Sequence, residues 1–137
     1  MEKSFIWVTF QREGIHKYPA ALTDPTLATG DWLDVSYLGY NHRHTFHFRV
    51  ELEVEHDDRA IEFIQAKRQM ERLFDQGTLQ LDHKSCEMIA RELHQQLVVL
   101  YGKKRDMVVE VSEDNENGCR MVFEATDKEV NCCGAMR

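Results

Sequence analysis

The run HRHTFHFRVELEVEH, residues 42 to 56, puts His42, His44 and His47 at the head of a segment with period-two patterning. Phe46, Phe48, Val50, Leu52 and Val54 share one side, and His47, Arg49, Glu51, Glu53 and Glu55 the other, as expected of a long half-buried strand. If the alternation already runs at its start, His42 and His44 fall on the apolar side. Two imidazoles at i and i+2 of a strand can aim their nitrogens at one point, which is the beginning of a metal site. The other reading is a strand that opens with two partly buried, hydrogen-bonded histidines. His47 and His56, of opposite parity or at the strand end, read as surface residues.

Stepping outward from that strand, SFIWVTFQ is rich in β-branched and aromatic residues and predicts a strand ending before a turn at Gly14. From about Lys17 to Asn41, Pro19, Pro25, Gly30 and Gly39 predict a long irregular connection, of the kind that often carries function. Residues 60 to 75 change to helical spacing, with Ile61, Phe63, Ile64, Met70, Leu73 and Phe74 as the apolar stripe and Gly77 as the stop. Ser85 is placed to cap a second helix, whose Ile89, Ala90, Leu93, Leu97 and Leu100 share a side before Gly102. Period two then returns in MVVEVSE and CRMVFEA, joined through an Asn-Gly hairpin turn in DNENG. Glu113 continues the parity of Met107, Val109 and Val111.

The order strand, loop, strand, helix, helix, strand, strand predicts an α+β domain: a four-stranded antiparallel sheet with two helices on one face. Residues 1 to 126 form this single domain, and residues 127 to 137 read as a flexible tail. Two long strands in so small a sheet predict a homo-oligomer.

A chain of 137 residues with a net charge of -7 has no broad basic surface for phosphates, so nucleic acid is not an expected partner. Lys67, Arg68 and Arg72, and the cluster Lys103, Lys104 and Arg105, read as solvated charge. The apolar runs fall short of the roughly 20 residues of a bilayer span, and the N-terminus lacks a signal-peptide pattern, so no membrane is expected and the location reads as cytoplasmic. Cys86, Cys119, Cys132 and Cys133 match no disulfide or zinc-ribbon spacing and read as reduced thiols, with Cys86 and Cys119 as small core residues.

Several of these segments together resemble the tunnelling-fold enzymes 6-pyruvoyl-tetrahydropterin synthase and 6-carboxytetrahydropterin synthase. HRHTFHFRVELEV is similar to the family's HGHNY strand, in which two histidines bind zinc. RAIEFIQAKRQME resembles the GMVxDFxxLK helix entry, with Glu62 in place of the aspartate, and SCEMIARELHQQL resembles the PTSENLA helix start. VVEVSED is similar to the strand whose terminal glutamate anchors the pterin or purine ring, and LDHK at 81 to 84 resembles LDHxxLN, displaced so that it directly precedes the second helix. The family's synthases also carry a catalytic cysteine ahead of the HGH motif, whereas residues 1 to 85 contain none.

The resemblance implies a ββααββ tunnelling fold with inter-subunit sites, and a third zinc ligand from the end of the first strand, a position that His16 matches. It implies Zn²⁺ held by His16, His42 and His44, Glu113 as the base anchor, and Asp82 with His83 as a proton relay. Three histidines leave a fourth position open, the pattern of catalytic zinc. The activity implied is that of a metal-dependent lyase or synthase acting on a pterin or purine nucleotide, with another general base in place of the cysteine. The alternative is an oligomeric module that binds or sequesters a purine-type nucleotide without turnover. Glu113 also has a plainer reading, as one more acid in the solvated hairpin SEDNEN.

Overall fold

A computed structural model describes residues 2–126; the expected tail at 127 to 137, with Cys132 and Cys133, lies outside the described residues. Strands β1 (Ser4–His16) and β2 (His42–Val54) form a long antiparallel pair, followed by helix α1 (Phe63–Arg72), strand β3 (Leu79–Asp82), helix α2 (Cys86–Tyr101) and the antiparallel strands β4 (Met107–Glu113) and β5 (Asn117–Phe123). The sheet order is β3-β1-β2-β4-β5, and β3 runs parallel to β1.

The expected four-stranded antiparallel sheet is therefore corrected to a five-stranded mixed one. The added strand is only LQLD, and it alternates buried and exposed residues, with Leu79 and Leu81 turned into the core. A strand of four residues between two helices offers too short a pattern to stand out from a loop.

Period two in β2 and β4 does what the alternation predicts. Phe46, Phe48, Val50 and Leu52 join Met107, Val109 and Val111 in one core, together with Ala66 and Met70 of α1 and Ile89, Ala90, Leu93 and Leu97 of α2. Burying this apolar area, at roughly 25 cal/mol per Å², is the main term that fixes the strand registers. The opposite face is mixed, carrying Trp7, Val108 and Val122 among polar and charged residues. There the Arg49 guanidinium lies 4.0 Å from the centre of the half-exposed Trp7 ring, and a concavity of about 740 Å³ is lined in part by Gln11, His47, Ser112 and Arg120.

Two glycines expected in turns lie inside strands. β1 does not stop before Gly14 but continues to His16, because Gly14 fits where packing is tightest: a Cβ there would stand 2.8 Å from Leu81 Cδ1 and 2.9 Å from the Phe46 ring. Gly118 pairs with Ser112 within β5, and a Cβ there would meet the Val111 carbonyl oxygen. The β4–β5 turn is made instead by Asp114, Asn115 and Glu116, with Asp114 and Asn115 at φ 55° and 60°. Short polar side chains tolerate that left-handed conformation best after glycine.

The capping residues act as their types suggest. The Ser85 side chain accepts from the Met88 amide at the start of α2. Glu62 caps α1, accepting from the Ile64 and Gln65 amides, and these bonds hold its carboxyl below the usual range. Between β1 and β2 the connection contains two 3-10 turns, Pro19–Leu22 and Ser36–Gly39. Asp24, Asp31 and Asp34 fold it locally, each accepting from a backbone amide two residues on.

Candidate metal centre

His16 is the last residue of β1 and His42 the first of β2, and the antiparallel register sets them directly opposite each other. His44 follows two residues on and faces Gly14. All three side chains emerge on the core side, at the end of the sheet where the apolar filling stops. His16 thus belongs to a strand and not to a loop, and it is 6% exposed. The Phe46 ring forms the floor, edge-on to His16 at 5.1 Å and to His44 at 5.8 Å between centroids. The three imidazoles crowd together, with centroids 4.6 Å apart for His16 and His42, 4.9 Å for His42 and His44, and 5.4 Å for His16 and His44.

Each ring is held by its Nδ1. His16 Nδ1 lies 2.8 Å from the Lys84 carbonyl oxygen, His42 Nδ1 2.8 Å from the Tyr40 carbonyl oxygen, and His44 Nδ1 2.6 Å from Asp114 Oδ2. A carbonyl oxygen only accepts, so the first two Nδ1 atoms carry the hydrogen. Asp114 acts the same way, because the Thr45 amide and then His44 hold its carboxyl below the usual range, leaving it ionised at neutral pH. With Nδ1–H used in this way, each neutral ring presents its Nε2 lone pair. Oxygen partners on the second nitrogen are the usual company of a metal-binding histidine.

One potential ligand atom from each histidine lies within 4.8 Å of the others. Small side-chain rotations bring such a set to the roughly 2.0–2.1 Å zinc–nitrogen distance. His16 Nε2 and His44 Nε2 are buried and make no hydrogen bond. An orphaned buried nitrogen is costly, and two of them side by side fit a site arranged around a cation. The residues present could hold a metal ion.

Glu113, last residue of β4, turns its carboxylate onto the same cluster. Its Oε2 is 3.0 Å from His16 Nε2 and its Oε1 3.5 Å from His44 Nε2, close in distance but without hydrogen-bond alignment. The register Phe46↔Glu113 sets it there, and the neighbouring clip between Asp114 and Thr45, bonded through the Asp114 amide and Oδ1, fixes the strand end. The continued parity from Val111 was the signal for this orientation. Asp114, by contrast, carried no sequence signal beyond being one more acid in a hairpin.

Asp82 ends β3 as the ladder partner of His16, across a register shift, and its carbonyl accepts from the Lys17 amide at 2.9 Å. His83 Nδ1 lies 3.3 Å from Asp82 Oδ2, and both side chains are largely exposed. Asp82 therefore stands beside His16 in the sheet, and His83 follows just past the strand end; neither side chain is within the cluster. His47 lies on the opposite face, along the concavity. The Cys86 thiol, at the start of α2, is pushed up to about 12, first by burial and then by the charge of Glu113, and burial also raises Cys119. Both stay protonated at neutral pH. Among the described residues no helix is long and apolar enough to cross a membrane.

Neither the protein-family models nor the curated proteins searched contain a match to this chain.

Proposed function

We propose that His16, His42 and His44 hold a zinc ion, and that the protein is a metal-dependent lyase or synthase acting on a pterin or purine nucleotide. The observation that carries the metal reading is the division of labour in the three rings: every Nδ1 is bonded to an oxygen, and buried Nε2 atoms are left without partners at a shared point. Imidazole-only ligation suits zinc among the common divalent ions. The pterin or purine reading rests on the likeness of the HRH, SCEMIA and VSED segments to the tunnelling-fold enzymes, and on Asp82 pairing with His16 in the sheet.

Bound zinc would supply Lewis-acid polarisation of a substrate oxygen. The chain supplies the rest. The Phe46 floor keeps water from the inner side of the cluster, and in this reading His83, paired with Asp82, would take a proton from a substrate carbon and return it. One observation favours the alternative, a module that binds a purine-type ligand without turnover: both described cysteines are protonated, so no thiolate is ready to serve as base.

Zinc-loaded protein incubated with dihydroneopterin triphosphate separates these readings. The catalytic reading expects product formation, reduced about 10²–10⁴-fold in His83→Ala with zinc retained. Ligand bound and recovered unchanged would establish the binding module instead, and neither binding nor turnover would contradict both.

A further inference from the structure

We infer that Glu113 is the fourth ligand of this centre, closing a set of three histidines and one carboxylate around a divalent ion. The inference rests on the metal reading above but not on the pterin or purine substrate.

Two facts about distance and direction carry it. In a tetrahedral zinc site with ligands at 2.0–2.1 Å, neighbouring ligand atoms stand about 3.3–3.4 Å apart. The Glu113 oxygens stand 3.0 Å from His16 Nε2 and 3.5 Å from His44 Nε2, on either side of that value. The same nitrogens make no hydrogen bond to the carboxylate, so the pairs are neighbours around a point, not donor and acceptor along a line. The tautomers sharpen this. With hydrogens on Nδ1 directed to Lys84 and Asp114, the Nε2 atoms of His16 and His44 face a carboxylate that is itself only an acceptor. Acceptors meeting in a partly buried corner, where the Glu113 side chain is 27% exposed, need positive charge between them.

The consequence concerns access. A centre closed by Glu113 has no open position at rest, so an oxygen-donor substrate must displace the carboxylate. A displaced Glu113 carboxylate would be available there as a hydrogen-bond acceptor.

The test uses the whole chain and the metal alone. Zinc affinity of the metal-free protein is measured by competition with a chromophoric chelator, for the parent and for Glu113→Gln, which keeps the shape and removes the charge. Because loss of an outer-shell partner already costs 10–100-fold, loss of a ligand should weaken zinc by more than about 100-fold. A change within about 100-fold overturns the inference, being no larger than an outer-shell effect. A second measurement compares azide sensitivity: the cobalt(II)-loaded parent, where azide must displace the carboxylate, should need more azide to change its visible spectrum than cobalt(II)-loaded Glu113→Gln. Equal azide sensitivity in the two overturns the inference while leaving the three-histidine centre standing. Absence of zinc uptake by the parent is a different failure; it removes the centre itself.

Discussion

Asp114 Oδ1 accepts from the Thr45 amide while Oδ2 takes the His44 Nδ1 hydrogen, so one side chain fixes both a strand end and a ring orientation. Asp114→Asn separates the two tasks. Asparagine tolerates φ 55° as aspartate does, and its carbonyl oxygen can still face Thr45. What it lacks is a charged acceptor for His44, so zinc affinity should fall about 10–100-fold while the chelated protein unfolds at nearly the parent's temperature. An unchanged affinity would mean that His44 needs no orienting partner. His42, His44 and Glu113 were legible beforehand because all three obey a parity rule that continues the apolar face. Asp114, and the carbonyls of Lys84 and Tyr40, were not, because a partner made by the backbone or by a turn residue has no pattern of its own.

At the level of elements, the two helices and four of the strands follow from periodicity, and the two misplaced turn signals share one cause. Gly14 and Gly118 were read as turn formers, yet both are strand residues where a side chain has no room. A glycine needed for close approach and a glycine needed for backbone freedom look alike in sequence. The extension of β1 past Gly14 matters for the site, since it carries His16 to its place opposite His42. Helix α2 is joined to β5 by His94, stacked on Phe123 at 3.7 Å. Burial, and then the Arg91 charge, lowers its pKa, so the fold favours the neutral ring. The sign follows. As pH falls through the ordinary histidine value near 6.5, the unfolded chain takes up the proton first, so stability present above that pH is lost below it. His94→Phe keeps the stack and removes the titration. Its urea midpoint, compared with the parent's between pH 7.5 and 5.5, should fall less as the solution is acidified; parallel curves would show that His94 does not contribute.

For the molecule as a whole, the α+β class was legible and the mixed sheet was not, because β3 is too short to announce itself and its LDHK end resembled a motif instead of a strand. Yet β3 and the link that follows it border the centre. β3 sets Asp82 beside His16, and the link from β3 to α2 supplies the Lys84 carbonyl. The site thus draws on β1, β2, the β3–α2 link, and the β4–β5 hairpin, four places far apart in sequence that meet at one end of the sheet. This dependence on the complete fold makes metal content the most direct measure of the account. Protein purified without added zinc should contain about one zinc ion per chain, and His42→Ala combined with His44→Ala should abolish it, since imidazole nitrogens are most of the ligand set. A content near zero in the parent, with the double variant no different, would contradict the central claim that these histidines converge to hold a metal.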